Sequence, residues 1–406
     1  MASFVLIWVF LLATYGLENC TATFFYDSGV ALVGTGGTTE AEQGNACAIS
    51  GDNSTILVGG YRNGLGNGQG YLGAAWVFER NSTSPTGWSQ IGNKLYPNDT
   101  GGQDRFGSSV AVNYNGTIAV ISGIGAIWTF MKDSKTGLWE QSGVKILPNE
   151  YPFGNFGSGV SMSSDGSIAA VAGSTVNHEN GVVWFFDFDF EAATYIQNGK
   201  MLVGTVLYSG PGASVALSGD GNTCLLGAST SNSALNNIGI VYVYNRDLKT
   251  NIWYESSYLS PSDYTIGINL GGSVINVLFG SSAAINFDGT IAVVGGLGDD
   301  YYLGAAWVFN RTDKVINGNT TWVQDGTKLT LPIPSSTPRF GSAVGIDKRG
   351  SLIAIGAPAD TVSAVTSGTG SVTIFLRSAS SWNHSGHSLI ANYSTSGMPG
   401  NGGFFW

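Results

Sequence analysis

The apolar positions of this chain fall in short runs that recur in a fixed order. A segment of alternating polarity comes first, as in FGSSVAV (Phe106–Val112), followed by a tight turn and an apolar run, TIAVISG (Thr117–Gly123). A glycine-rich stretch of variable length then leads to an aromatic run, AIWTFMK (Ala126–Lys132), and to a segment with one tryptophan and a Gly–Lys–Leu/Ile theme, LWEQSGVKI (Leu138–Ile146). Alternation at period two marks a half-buried strand, and a brief apolar run bounded by turn residues marks a buried one. Each unit therefore predicts four strands.

The units repeat. LGAAWVF stands at Leu72–Phe78 and again at Leu303–Phe309, and GTIAV at Gly116–Val120 and again at Gly289–Val293. The separations, 231 and 173 residues, are four and three times a period near 58. Starts on that period fall near Gly44, Phe106, Phe156, Gly212, Phe279 and Phe340, and the aromatic runs that follow are AAWVFER, AIWTFMK, VVWFFDF, IVYVYNR, AAWVFNR and SVTIFLR. Between the first and second strands stand Asn115-Gly116, Asp165-Gly166, Asp220-Gly221 and Asp288-Gly289, dipeptides that readily take the positive φ of a two-residue hairpin. Asp52-Asn53 and Arg349-Gly350 hold the same place in the first and last units. The leading glycines, such as Gly107 and Gly341, are expected where inner strands crowd around an axis. Four strands per repeat is the arithmetic of a propeller blade.

FGSAVGIDKRGSLIAIGAPADTVSAVTSGTGSVTIFLR (Phe340–Arg377) resembles the FG-GAP repeat of integrin α-chain head domains and their bacterial and protist relatives, and so does VALVGTGGTTEAEQG (Val30–Gly44) with the GAAWVFER and GWSQIGNKL that follow it. The resemblance covers essentially the whole chain after its first residues. It implies an all-β fold, a β-propeller of seven four-stranded antiparallel blades. The sequence itself holds six full repeats, and GVALVGTGG (Gly29–Gly37) reads as a fourth strand closing a last blade. Seven-blade geometry is the favoured expectation, with a six-bladed ring as the alternative. The family's Ca²⁺ loops do not carry over. The turns here read SGDNST, NYNGT, SSDGS, SGDGN, NFDGT and DKRGS, without the spaced oxygen ligands that Ca²⁺ needs.

Composition narrows the classes. Glycine supplies 60 of 406 residues and charged residues only 11%, which suits many tight turns and strands buried between neighbours. The net charge is −10 and no Lys/Arg run occurs, which argues against nucleic acid and against an anionic membrane surface. Ser3–Ala13 (SFVLIWVFLLA) has the length of a signal-peptide core, so residues 1–22 are expected to be a signal peptide cleaved after Gly16 or Ala22 and residues 23–406 one domain, secreted or at the cell surface, with no membrane insertion of the mature chain. Glycosylation sequons at Asn53, Asn81, Asn98, Asn115, Asn310, Asn319, Asn383 and Asn392 agree with that compartment, with another at Asn19. Cys20 and Cys47 are a possible disulfide if cleavage follows Gly16, and Cys224 reads as a core thiol.

Candidate chemistry is sparse. Asp187, Asp189 and Glu191 lie on an alternating strand or just past it, His384 and His387 have a metal-like spacing but no third ligand, and Gly68, Gly70 and Gly73 spell a dinucleotide fingerprint ahead of a strand rather than a helix. No hydrolase elbow, zincin or Walker motif occurs, and neither a metal nor a cofactor is implied. In a blade of this order the strand two–three loops share one face with the blade connections, and their lengths vary. Recognition is expected there, at Tyr61, Arg62, Tyr71, Tyr151, His178, Asp299, Asp300, Tyr301 and Tyr302, with Phe153 and Tyr264 on the connections. The expected function is a non-enzymatic interaction module for an extracellular protein or glycan. The alternatives are a secreted hydrolase with carboxylates on the loop face, or a purely structural surface protein.

Overall fold

A computed structural model describes residues 32–390, apart from segments 39–40, 65–69, 151–154, 175–180, 207–211, 231–237, 269–271, 317–318, 333–336, 362–369 and 379–380 and positions 100 and 273. The first blade holds β1 (Ala46–Ile49), β2 (Thr55–Gly60), β3 (Ala74–Arg80) and β4 (Trp88–Gln90), and the second β5 (Val110–Val112), β6 (Ile118–Gly123), β7 (Ala126–Lys132) and β8 (Trp139–Ile146). The third holds β9 (Gly159–Met162), β10 (Ile168–Ser174), β11 (Gly181–Asp189) and β12 (Thr194–Val203), and the fourth β13 (Gly212–Leu217), β14 (Thr223–Ala228), β15 (Ile240–Asp247) and β16 (Ile252–Leu259). A two-stranded insert, β17 (Gly267–Ile268) and β18 (Val274–Ile275), precedes the fifth blade of β19 (Phe279–Ile285), β20 (Ile291–Gly296), β21 (Ala305–Ile316) and β22 (Asn319–Gln324). The sixth comprises β23 (Ala343–Ile346), β24 (Leu352–Ala357), β25 (Ser371–Ser378) and β26 (Ser381–Ile390). Within each blade the strands are antiparallel and lie in sequence order.

The chain is therefore a six-bladed β-propeller, and the seven-blade expectation is corrected. Of the anticipated closing strand, Leu32–Gly37 is described and pairs with no strand. Its backbone is taken by side chains of the first blade. The Trp76 indole donates to the Thr35 carbonyl at 2.9 Å, the Thr35 N–H donates to Gln90 Oε1 at 2.7 Å, and Lys94 Nζ donates to the Gly36 carbonyl at 2.7 Å.

Apolar clusters form the core between blades. One joins the first and second blades around Val77, Phe106 and Trp128, and the next joins the second and third around Val120, Phe156 and Trp184. Three more join the remaining successive pairs. On its other side the first blade presents Ile56, Val58 and Trp76, which Leu32 and Ala41 cover. Close approach fixes the leading glycines. A Cβ on Gly107 would lie 2.3 Å from the Ala74 carbonyl oxygen, and one on Gly341 would lie 2.2 Å from that of Ala305.

Every strand one–two hairpin carries the same internal brace. A buried polar residue before the turn accepts the N–H that opens the second strand: Ser50 from Thr55 (2.9 Å), Asn113 from Ile118 (3.0 Å), Ser163 from Ile168 (3.0 Å), Ser218 from Thr223 (3.0 Å), Asn286 from Ile291 (2.9 Å) and Asp347 from Leu352 (2.7 Å). The turn aspartates fold back in the same way: Asp52 accepts the Ser54 N–H and Asp165 the Ser167 N–H, each at 2.9 Å. Burial alone would raise the Asp52 carboxyl, but the hydrogen bonds from Ser50 and Ser54 outweigh it and hold the group below its ordinary value. Neighbouring turns are then tied together by backbone bonds, Asp52 to Tyr114, Tyr114 to Ser164, Ser164 to Gly219, Asp220 to Phe287 and Phe287 to Lys348. The Lys348 ammonium lies 4.3 Å from the Phe287 ring centre and 5.2 Å from that of Tyr114, bridging side chains of the second, fifth and sixth blades at the turn end of the axis.

The glutamine and Gly–Lys theme of the fourth segment has a mechanical meaning, which it shares with the tryptophan of the third strand. In the second blade Asp99, on the connection from the first, accepts the Trp128 indole N–H (2.9 Å), the Gln141 amide (3.1 Å) and the Lys145 backbone N–H (2.6 Å). Glu150 does the same for Trp184, Gln197 and Met201, and Asp263 for Trp307, Gln324 and Lys328. The same glutamine also donates to the carbonyl of a glycine two residues on, and Gly143, Gly199 and Gly326 take φ of 71°, 69° and 75°, a bulge conformation that favours glycine. Each latch fastens the connection from one blade onto the third and fourth strands of the next.

Candidate functional site

The residues that open the first strands share one backbone device. The residue two places before the first glycine of a blade, or just before its Phe-Gly, is left-handed and is not glycine: Glu42 (φ 46°), Arg105 (48°), Asn155 (47°), Leu278 (58°) and Arg339 (56°). Such a conformation costs a non-glycine residue about 1–2 kcal/mol. Backbone bonds hold it, as where the Arg105 N–H donates to the Tyr71 carbonyl (3.1 Å) and that of Arg339 to the Tyr302 carbonyl (3.0 Å). These residues open the first strands, so they lie on the loop face.

Between the first three blades that face holds a cavity of about 330 Å³, lined by Asn45, Tyr61, Arg105, Ser108, Gly123, Ile124, Asn155, Phe156, Gly157 and Ser158. Of the residues anticipated from sequence, Tyr61 lines this cavity, and Arg62, the next residue, pairs with Tyr71. Arg62 pairs with Glu42, its second amino group reaches Tyr71 Oη at 3.3 Å, and its guanidinium stacks 5.0 Å from the Tyr71 ring centre. The hydrogen bonds it donates to those two partners raise the Arg62 guanidinium above its ordinary value. Partial burial, with help from Glu42, raises the Tyr61 hydroxyl. The Arg105 guanidinium lies 6.0 Å from the Tyr61 ring centre and has no acceptor or carboxylate among the described residues. Asn45 braces the wall, its amide donating to the Ser108 carbonyl (3.1 Å) and its Oδ1 accepting the Tyr61 N–H (3.2 Å).

Sequence reasoning missed Glu42, Arg105 and Asn155. For Arg105 and Asn155 the available signal was the position ahead of each Phe-Gly-Ser, which reads Arg, Asn, Leu and Arg while the three residues after it stay constant.

The Asp299–Tyr302 group is a different object. Asp300, Tyr301 and Tyr302 form one left-handed turn with φ of 47°, 58° and 66°. Asp299 is buried, bonded to Lys328 Nζ (2.5 Å) and to the Thr265 N–H (2.7 Å), and so props the loop. Desolvation raises its carboxyl despite Lys328. Tyr301 and Tyr302 are exposed, and the Arg339 guanidinium lies 5.9 Å from the Tyr302 ring centre. Tyr151, Phe153 and His178 lie outside the described residues.

Other candidates resolve in place. Asp187 accepts amide N–H bonds from Asn198 and Asn251, both at 2.8 Å, and so links the third and fourth blades; Asp189 caps the turn that contains Glu191. His384 lies on β26 with its ring 5.8 Å from that of Phe375, and His387 is on the same strand. Of the dinucleotide-like glycines, Gly70 and Gly73 lead directly into β3, a strand. Cys224 is fully buried on β14, which pushes its thiol up; Cys47 lies on β1 and Cys20 outside the described residues.

Among the sequons, Asn98, Asn115 and Asn383 are exposed and Asn53 stands in a hairpin turn. Asn81 is engaged with Ser89 and Thr83, and Asn319 opens β22. Asn310 does not lie on a loop: it sits within β21, paired to Ile291 on one side and Val323 on the other, with a buried Oδ1. Asn19 and Asn392 lie outside the described residues. No described helix is long and apolar enough to cross a membrane.

No family model matches the chain, and no curated protein matches it. Solved structures do. It is similar to a putative 6-phosphogluconolactonase from Bacteroides uniformis at 13% identity, covering 86% of each chain with a TM-score of 0.55. A putative 6-phosphogluconolactonase from Bacteroides fragilis aligns at 13% identity over 86% of this chain and 85% of its own, TM-score 0.52. Sqt1 from Chaetomium thermophilum aligns at 15% identity over 87% and 72%, TM-score 0.50. At such identities the likeness establishes the fold and leaves the activity unassigned.

Proposed function

We propose that this propeller is a secreted or cell-surface binding module, of the kind its FG-GAP-like repeats suggest, that takes a polar extracellular partner, glycan or protein, on its loop face. The observation that carries this reading is the cavity of about 330 Å³ lined by Tyr61 and Arg105, with Arg105 held in a left-handed backbone conformation and the Arg62–Tyr71 pair following Tyr61 in the chain. Aromatic and amide groups on a rigid scaffold combine low ordering cost with adaptable hydrogen bonding. The alternative of a hydrolase is weakened because two carboxylates of this face, Glu42 and Asp299, are already paired with Arg62 and Lys328. The test is an array of immobilised glycans and extracellular proteins, probed with wild type and with Tyr61→Ala. A bound ligand whose signal falls at least tenfold in the variant supports the reading. Binding that ignores the substitution overturns the assignment of this site.

A further inference from the structure

Resting on the binding reading, we propose that the cavity selects an acidic sugar residue, a pyranose bearing one carboxylate, with Arg105 as the carboxylate's partner. The chain carries a net −10, so an anion approaches against the average field and needs a local cation. Four cationic side chains stand among the loop-face residues described above. Arg62 is neutralised by Glu42, Lys328 by Asp299, and Arg339 lies against Tyr302. Arg105 touches only the face of Tyr61, and its guanidinium meets no acceptor among the described residues. A ring face satisfies none of the five N–H donors of that planar fork, which matches a carboxylate in two-point geometry.

The fork is also fixed at its root. The Arg105 N–H is held by the Tyr71 carbonyl (3.1 Å), and its own carbonyl accepts the Ser108 hydroxyl (2.6 Å). Little backbone ordering is left to lose on binding.

The rest of the lining suits a sugar. Asn45, Asn155, Ser108 and Ser158 supply amide and hydroxyl groups, while Ile124, 54% exposed, offers apolar surface for a ring face. A volume of about 330 Å³ lies at the small end of ligand sites, which span roughly 300–1,000 Å³, so one or two sugar rings fit and a folded peptide segment does not. A single unpaired guanidinium balances a monoanion. A phosphate dianion would want a second cation or several free backbone N–H groups.

The experiment is calorimetric or NMR titration of the intact protein with D-glucuronate and, in parallel, D-glucose at low salt. Glucuronate is expected to bind at least tenfold more tightly than glucose, and to weaken as salt rises. Arg105→Gln removes that preference, Arg105→Lys keeps part of it, and the unfolding midpoint of both variants stays at the wild-type value. Equal binding of the two sugars, or a preference that survives Arg105→Gln, overturns the inference. If the array finds a neutral ligand lost in Tyr61→Ala while glucuronate shows no advantage, the acidic-sugar inference fails and the binding reading stands. If neither the array nor either sugar binds, both fall.

Discussion

The octapeptide YLGAAWVF occurs twice, at Tyr71–Phe78 in the first blade and Tyr302–Phe309 in the fifth, and the two copies sit in nearly the same backbone frame. In each, the carbonyl of the tyrosine accepts the N–H of an arginine that opens the next blade, and the leucine carbonyl accepts the N–H of the phenylalanine after it. In each, the tryptophan is fully buried. The surroundings differ. Ahead of Tyr71 the loop is glycine-rich, and Tyr71 is taken up by Arg62, which leaves Arg105 facing a cavity. Ahead of Tyr302 stands the strained Asp-Asp-Tyr turn, and Tyr302 itself faces the arginine that opens the next blade. The same scaffold sequence thus borders an open cavity in one place and a braced loop in the other, and the loop ahead of it decides which.

Substitutions in the shared frame should be the most damaging and the most alike. Trp76→Ala and Trp307→Ala are each expected to cost about 3–5 kcal/mol by urea unfolding, the usual range for emptying a buried aromatic site. A large loss in one copy only would break the equivalence. The milder change to Phe sharpens it. Trp307 donates to the Asp263 carboxylate and Trp76 to a backbone carbonyl. Trp307→Phe should therefore cost about 1.5–3 kcal/mol and Trp76→Phe about 0.5–1.5 kcal/mol.

The latch acids predict a pH dependence. Burial would raise Asp99, Glu150 and Asp263, but the N–H donors around each outweigh it and hold all three below their ordinary values. A depressed carboxyl contributes stability that is complete above the unfolded value, about pH 4, and is lost as pH falls through the folded one. Asp299 is shifted the other way, so its contribution runs oppositely and offsets part of this slope. An acid titration of the unfolding midpoint should decline below about pH 4, and less steeply in Asp263→Asn. An unchanged slope in that variant would remove the latch from the account. The smallest effect concerns the strained turn: Asp300→Gly should raise stability by about 1 kcal/mol, because glycine adopts φ 47° without strain. A loss of stability would mean that the Asp300 side chain holds the turn.

Much of the scaffold was legible. The hairpin dipeptides gave the strand one–two turns because only a few residues take positive φ cheaply, and the recurring apolar runs gave the strand order. The six repeats were legible and match the six blades; the preference for a seventh came from the family resemblance and from reading the segment before Gly44 as a closing strand, whereas its described part pairs with no strand. The latches were half visible: Trp128 and Gln141 stand out in the repeat, but Asp99 lies on the connection from another blade, 42 residues from Gln141. Of the site, Tyr61, Arg62 and Tyr71 were named from loop length and aromatic content. Asp299 was named for its charge and proved a buried prop, because sequence shows a carboxylate but not the Lys328 that neutralises it.

The most direct test of the comparison sets two double variants against each other on the same array ligand. Tyr61→Ala/Arg105→Ala should lose at least tenfold in binding with an unfolding midpoint equal to wild type, while Tyr301→Ala/Tyr302→Ala keeps binding within about twofold, since surface changes away from the site alter little. Loss of binding in the second variant with retention in the first would contradict the account and move the site to the fifth blade.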